Sequence, residues 1–212
     1  MIYLIGSPPR CGKTTLAKRM SKQAKIPWLS CDTLDAVTQE YTPKNQWQKK
    51  YPYSFLRRKG AARNNDEFYN LYSAKKIMSV LKKEARAVYG AIDTVIACEI
   101  ADGNDYIIEG CDIHPSFAKK MINKYGEQNV RAVFLTKFDV QKFAQDVHKS
   151  ITPNDWLLVL TKKPETFVKV GKMVSVYSQD FKKEAKSCGL KVFNMDNHFN
   201  DQINQAIKYL IK

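Results

Sequence analysis

The sequence predicts an α/β fold built on a small parallel sheet with helices on both faces. Three observations point there. Short, β-rich apolar runs alternate with longer helical stretches. The first run passes at once into a glycine-bearing loop and then a helix, and no internal repeat or low-complexity tract interrupts the pattern. A chain of 212 residues buries one core well, so a single domain over 1–212 is expected.

Strands are expected at 2–5, 27–30, 106–109, 130–135 and 191–193. Each is short and largely apolar, as a strand covered on both faces should be. The first helix follows the loop through Leu16, Ala17 and Met20, and a second is expected over 33–40. A long helical stretch runs from about 66 to 100, opened by Asn64 with Glu67 three residues on, which has the form of a capping box. Further helices are expected over 140–149, 166–186 and 201–211, the last presenting Ile203, Ala206, Ile207, Leu210 and Ile211 on one face.

Composition narrows the function classes. Hydrophobic residues at 44% and charged residues at 26% are globular proportions. The longest apolar run, 156–160, is far too short to span a bilayer, so no membrane partner is expected. Residues 1–5 give way directly to Gly6, Pro8, Pro9 and Arg10, which leaves no room for a secretory signal and suggests a cytoplasmic protein. Cys11, Cys31, Cys98, Cys111 and Cys188 are odd in number and form no C-x-x-C pair, so reduced thiols are expected rather than disulfides or zinc. The net charge of +14 favours anionic partners.

The strongest motif is Gly6-Ser7-Pro8-Pro9-Arg10-Cys11-Gly12-Lys13-Thr14-Thr15, set between strand and helix. A loop of this kind turns its backbone N–H groups towards phosphate oxygens, and the helix N-terminus adds partial positive charge. Ser7, Pro8, Pro9, Arg10, Cys11, Gly12, Lys13, Thr14 and Thr15 are therefore the expected phosphate-binding residues, with Lys13 reaching the β- and γ-phosphates and the Thr14 hydroxyl ligating Mg²⁺. One departure stands out: the first glycine of G-x-x-x-x-G-K-[ST] falls on Ser7, with Gly6 one residue early.

Two acids follow neighbouring strands. Glu109 ends the third strand beside Gly110, where an acid orients Mg²⁺; its charge has little structural use near a core. Asp32 follows the second strand, placed to take a proton from an acceptor hydroxyl or else to cap the helix behind it. Between the second and third strands, 41–104 is expected to form an acceptor-binding insertion. Its first part, 41–63, holds seven basic residues and no acid, interleaved with five aromatics. Arg57, Arg58, Lys59 and Arg63 are the expected acceptor-binding cations. A solvated basic face, or a platform for stacked bases of a single strand, are the alternatives.

Residues 137–165 are expected to form a lid. No arginine occurs beyond Arg131, so its cations are lysines, and Arg10 in the loop is the alternative stabiliser of the transferring group. His148, Asn154, Asp155 and Trp156 belong either to this lid or to a capped turn. His114 is read as an acceptor contact or a loop residue, Cys11 as a thiolate favoured by the helix N-terminus or a small residue that fits the loop, and His198 as a surface residue.

The loop 5–17, taken with Ile107-Ile108-Glu109-Gly110-Cys111-Asp112-Ile113-His114-Pro115, resembles the adenylate-kinase-like P-loop small-molecule kinases. Its Glu-Gly-x-x-x-x-Pro stretch looks most like 2-phosphoglycerate-kinase-type proteins and related uncharacterised AAA-type ATPases. The resemblance implies a P-loop NTPase sheet of order 2-3-1-4-5, ATP with Mg²⁺ as donor, Lys13 and Thr14 on the phosphates and metal, and acids near Asp32 and Glu109. The leading expectation is an ATP-dependent phosphotransferase for a small anionic acceptor, with Lys13, Asp32, Glu109 and Arg10 as its catalytic groups. A nucleotide or polynucleotide kinase, and an ATP-binding regulatory module or weak ATPase, are the other readings.

Overall fold

The computed structural model describes residues 1–58, 64–150 and 155–212. Five strands form one parallel sheet: β1 (Ile2–Gly6), β2 (Trp28–Ser30), β3 (Tyr106–Gly110), β4 (Val130–Thr136) and β5 (Lys191–Asn194), in the order β2-β3-β1-β4-β5. This is the P-loop NTPase arrangement expected from the sequence. All five residues of β1 are buried, because the strand is central and helices cover both faces. Its partners run in register with it, Ile5 opposite Glu109 and Val133, Gly6 opposite Gly110 and Phe134. The carboxyl ends of β1 and β3 therefore open side by side, the place where ligands of open α/β sheets bind.

On one face lie α1 (Lys13–Ala24) and α11 (Phe199–Ile211). The other carries α2 (Cys31–Glu40), α6 (Ala74–Ala101), α7 (Pro115–Tyr125) and α10 (Pro164–Ser187), with α8 (Val140–Asp146) packed on α10. Short helices fill the excursion after β2: a 3-10 turn at Lys44–Gln46, then α3 (Trp47–Lys50), α4 (Pro52–Arg58) and α5 (Asn65–Leu71). A one-turn helix, α9 (Trp156–Val159), precedes α10.

Three expectations are corrected. The helical stretch 66–100 is two helices: Asn64 caps α5, its Oδ1 accepting from Glu67 N at 2.9 Å, but the chain is extended at Tyr72, and Ser73 starts α6 with a cap of its own. The stretch 140–149 is helical only to Asp146 and ends in a 3-10 turn, Val147–Lys149. α7 had no counterpart among the expected helices, although Pro115 at its first turn and buried Phe117, Ala118, Met121 and Ile122 give it an ordinary amphipathic pattern.

Candidate functional site

The loop after β1 is shaped by close contacts. A Cβ on Gly6 would lie 2.1 Å from the Ile113 carbonyl oxygen, so the strand can leave the sheet here only as glycine. That contact accounts for a glycine one position early. Ser7 is then fully buried, its hydroxyl donating to the Pro8 carbonyl at 2.7 Å. Gly12 caps α1 in the left-handed region at φ 100°, where a Cβ would also strike the Phe199 ring. No side chain caps α1 and no acid lies in its first turn. Its terminal amides are thus open to an anion.

Beneath this helix end, Thr14 Oγ1 donates to Glu109 Oε1 at 2.9 Å. Glu109 is 1% exposed, and its second oxygen, Oε2, is buried with no hydrogen-bond partner among the described residues. Burial raises the Glu109 pKa above the usual carboxylate range; Lys13, Thr14 and Ser30 resist the shift and Asp32 adds to it. Burial alone would lower the Lys13 pKa, but Cys111, Glu109 and Asp32 around the ammonium turn the shift upward. The Cys111 thiol is itself pushed up to about 12 by burial, so it faces Lys13 as the neutral thiol.

An unsatisfied buried carboxylate oxygen beside a threonine hydroxyl fits Mg²⁺, a hard cation that takes oxygen ligands and is commonly held by one or two protein groups plus phosphates and water. Among the described residues no three His, Cys, Asp or Glu side chains gather as a self-sufficient metal site, which is consistent with that division of ligands.

Asp32 lies exposed in the first turn of α2, and the cap is Ser30, whose Oγ accepts from Asp32 N at 3.2 Å. The capping alternative for Asp32 is therefore excluded and its carboxylate is left for other work. Around it the cleft is acidic. Asp112 is pushed up to about 7 by burial and by the charges of Asp35, Asp32 and Glu84, with Lys13 opposing. Asp35 is pushed up to about 6 by burial and by Glu84. Glu84, buried on α6, accepts from Ser54 N at 2.9 Å and Ser54 Oγ at 2.6 Å, so it holds the start of α4.

Among the described residues, the cations of the basic segment have separate partners. Arg57 donates to Asn65 Oδ1 at 3.0 Å and lies 4.7 Å from the Phe68 ring centroid, with its Nη1 buried and without a hydrogen-bond partner among the described residues. Arg58 sits 3.9 Å from the Trp47 ring centroid and donates to Gln39 Oε1 at 3.1 Å. Lys49 and Lys50 are exposed on α3. Lys59 and Arg63 lie outside the described residues.

Arg10 holds a left-handed backbone, φ 65°, and its guanidinium pairs with Asp155 while also donating to the Val147 carbonyl at 3.4 Å. Strain of that kind at a non-glycine residue is kept where surrounding contacts fix it. Asp155 in turn caps α9 through Leu157 N at 3.0 Å.

Two residues that sequence reasoning passed over complete the connection. Asn65 donates to the Trp156 carbonyl at 3.1 Å and to Thr161 Oγ1 at 2.9 Å, besides accepting from Arg57. Asp66 accepts from Lys162 N, Lys163 N and Thr166 Oγ1, tying α5 to the start of α10. The loop after β1, the segment around α9, α5 and the start of α10 are thereby joined.

Burial pushes Cys11 up to about 12, overturning the thiolate expectation. His114 is buried against Tyr177, with Nε2 and Oη 2.6 Å apart. His148 packs edge-on to Phe167. His198 is exposed at the start of α11. Asn154 lies outside the described residues.

No protein-family model matches the chain, and no curated protein matches it. Among solved structures, the chain is similar to a shikimate kinase from Bacteroides thetaiotaomicron, at 17% identity and TM-score 0.48, covering 99% of this chain and 96% of that one. It is also similar to a shikimate kinase from Acinetobacter baumannii in complex with shikimate (13% identity, TM-score 0.47, 99% and 91% covered). A gluconokinase from Sinorhizobium meliloti 1021 stands at 12% identity and TM-score 0.47, with 99% and 90% covered.

Proposed function

We propose that the protein is a phosphotransferase that uses MgATP to phosphorylate a hydroxyl of a small anionic acceptor. The observation that carries the reading is Glu109 Oε2, a buried carboxylate oxygen with no hydrogen-bond partner among the described residues, whose sister oxygen takes the Thr14 hydroxyl beneath an uncapped helix N-terminus. An orphan of this kind costs stability unless a ligand satisfies it. Mg²⁺, when bound with ATP, would be held through Thr14 and Glu109 and would neutralise charge on the phosphates.

The chain's own groups supply the rest. Amides of the loop 7–15 and the Lys13 ammonium bind the β- and γ-phosphates. Asp32, exposed at the start of α2, accepts the proton of the acceptor hydroxyl. Arg57 Nη1, a donor without a hydrogen-bond partner among the described residues, takes an anionic oxygen of the acceptor. Residues 41–104 form the acceptor side and 137–165 the lid, with Arg10 latched to Asp155. We place the protein in the cytoplasm, where thiols stay reduced.

The test is calorimetric titration of the protein with MgATP, followed by phosphoryl transfer to a panel of small hydroxyl compounds bearing a carboxylate or phosphate. MgATP binding and transfer to a panel member are expected. Binding with hydrolysis but no transfer would favour an ATPase module, and no MgATP binding would remove the reading.

A further inference from the structure

Four cations that take no part in the phosphate and acceptor contacts named above converge on another part of the 41–104 insertion. A groove of about 770 Å³ opens between the C-terminal end of α2, α3 and the outer face of α6. Lys49 and Lys50 line one wall and Lys83 and Arg86 the other; all four are exposed, and no acidic residue among the described residues lines the groove. Among the described residues none of the four is held in an ion pair. At the margin stand Tyr41, 86% exposed, and Val37, 49% exposed, on the last turns of α2. Tyr41 is nine residues beyond Asp32, about 14 Å along the helix. The groove is therefore separate from the phosphate loop.

Four uncompensated cations in a concave surface repel one another, and an anion that bridges them relieves the repulsion. An exposed aromatic ring at the margin of such a groove offers a flat apolar face for a base, while the cations follow a phosphate backbone. An acidic peptide would satisfy the charge but gain little from the Tyr41 ring. Lys83 and Arg86, three residues apart on α6, are neighbours on one helix face, so they serve adjacent anionic groups. We propose that this groove binds single-stranded nucleic acid, its phosphates on Lys49, Lys50, Lys83 and Arg86 and a base stacked on Tyr41.

The proposal stands independently of phosphotransfer, and its test is fluorescence anisotropy with a labelled oligothymidylate and a labelled oligouridylate of roughly a dozen residues. With four phosphates engaged at a slope of about −0.7 each, raising salt from about 50 to about 200 mM should weaken binding roughly fiftyfold. Lys83→Glu with Arg86→Glu should lose at least about tenfold in affinity at low salt and flatten the slope, with MgATP affinity unchanged. Tyr41→Ala should lose about fivefold or more without altering the slope, because stacking releases no counterions. Lys182→Glu with Lys186→Glu, on the separate lysine surface beside Phe138, should change affinity far less than the groove variants.

Three results would overturn the proposal: no strand binding at low salt, binding indifferent to the groove variants, or an acidic peptide of equal charge competing as well as the strand. Circular dichroism of each variant separates loss of binding from loss of fold.

Discussion

Thr14 and Glu109 meet across the base of the loop, the hydroxyl 2.9 Å from Oε1, while Oε2 of the same carboxylate is buried with no hydrogen-bond partner among the described residues. If that charge serves a metal, Glu109→Gln should leave the fold intact and separate the metal-holding role from the structural one. The amide oxygen can still accept from Thr14, and loss of a buried charge lowers the desolvation cost. Thermal stability should therefore hold or rise. Mg²⁺-dependent turnover of ATP should fall by about 10²–10³, the usual loss for one preorganised electrostatic group. Steady-state kinetics with a melting curve on the same protein checks both halves.

Lys13 is the positive group facing Glu109 and Asp32. Lys13→Ala should cut turnover by about 10²–10³ and weaken MgATP binding. It should also raise the Glu109 pKa further, since Lys13 is the first influence holding it down. Wild-type affinity and turnover in a folded variant would remove the phosphate-loop role.

The strands and the loop were legible because their determinants are local. A parallel strand covered on both faces reads as a continuous apolar run, and strand, loop and helix of the phosphate site fall within about two dozen consecutive residues. The break between α5 and α6 was not legible, since neither glycine nor proline marks Tyr72 and Ser73. Asp66 was invisible for a different reason: its partners Lys162 and Thr166 lie 96 and 100 residues away. The acidic cleft is likewise assembled from Asp35 on α2, Glu84 on α6 and Asp112 after β3. Counting cations in 41–63 gave their number but not their direction, which Trp47, Phe68 and Asn65 decide by taking Arg58 and Arg57.

Stability should depend on pH through two opposing limbs, one from Asp112 and Asp35 and one from His114. Burial and neighbouring acids push Asp112 up to about 7, and burial and Glu84 push Asp35 up to about 6, both above an unfolded value of roughly 3.9. Their contribution is full below about pH 4 and is lost as pH rises through about 6 to 7. His114 runs the other way: burial holds it down to about 4, so its contribution is full above about pH 6.5 and is lost as pH falls towards 4. Between about pH 6.5 and 8 only the acid limb remains, and stability should decline with rising pH. Asp112→Asn should flatten that limb and His114→Gln should not, as urea unfolding at the two pH values will show.

Asp32→Asn tests the acceptor role. The variant keeps the Ser30 cap, because that bond runs from the Asp32 backbone N–H to Ser30 Oγ. Transfer should drop by about 10²–10⁴, the usual contribution of a positioned base, while MgATP affinity changes little. Normal transfer would move the base role to Asp112 or to no residue.

Asp66 offers a test of how the start of α10 is held to α5. Its carboxylate takes Lys162 N at 2.9 Å, Lys163 N at 3.2 Å and Thr166 Oγ1 at 2.6 Å, and it is 8% exposed. These are amides at the start of α10, which has no cap from its own N-cap residue, Lys163. A buried carboxylate from another element thus does the work of a cap and also meets the positive end of the helix. Asp66→Ala leaves two amides and a hydroxyl without their acceptor and should cost about 2–3 kcal/mol in urea unfolding. Although burial opposes it, the bonds to Thr166, Lys162 and Lys163 and the Lys163 charge hold the Asp66 pKa below its usual value. Its contribution is therefore present above about pH 4 and lost as pH falls below that. The deficit of Asp66→Ala should shrink in acid accordingly. A deficit that stayed constant down to about pH 2 would show that the carboxylate charge plays no part in holding α10.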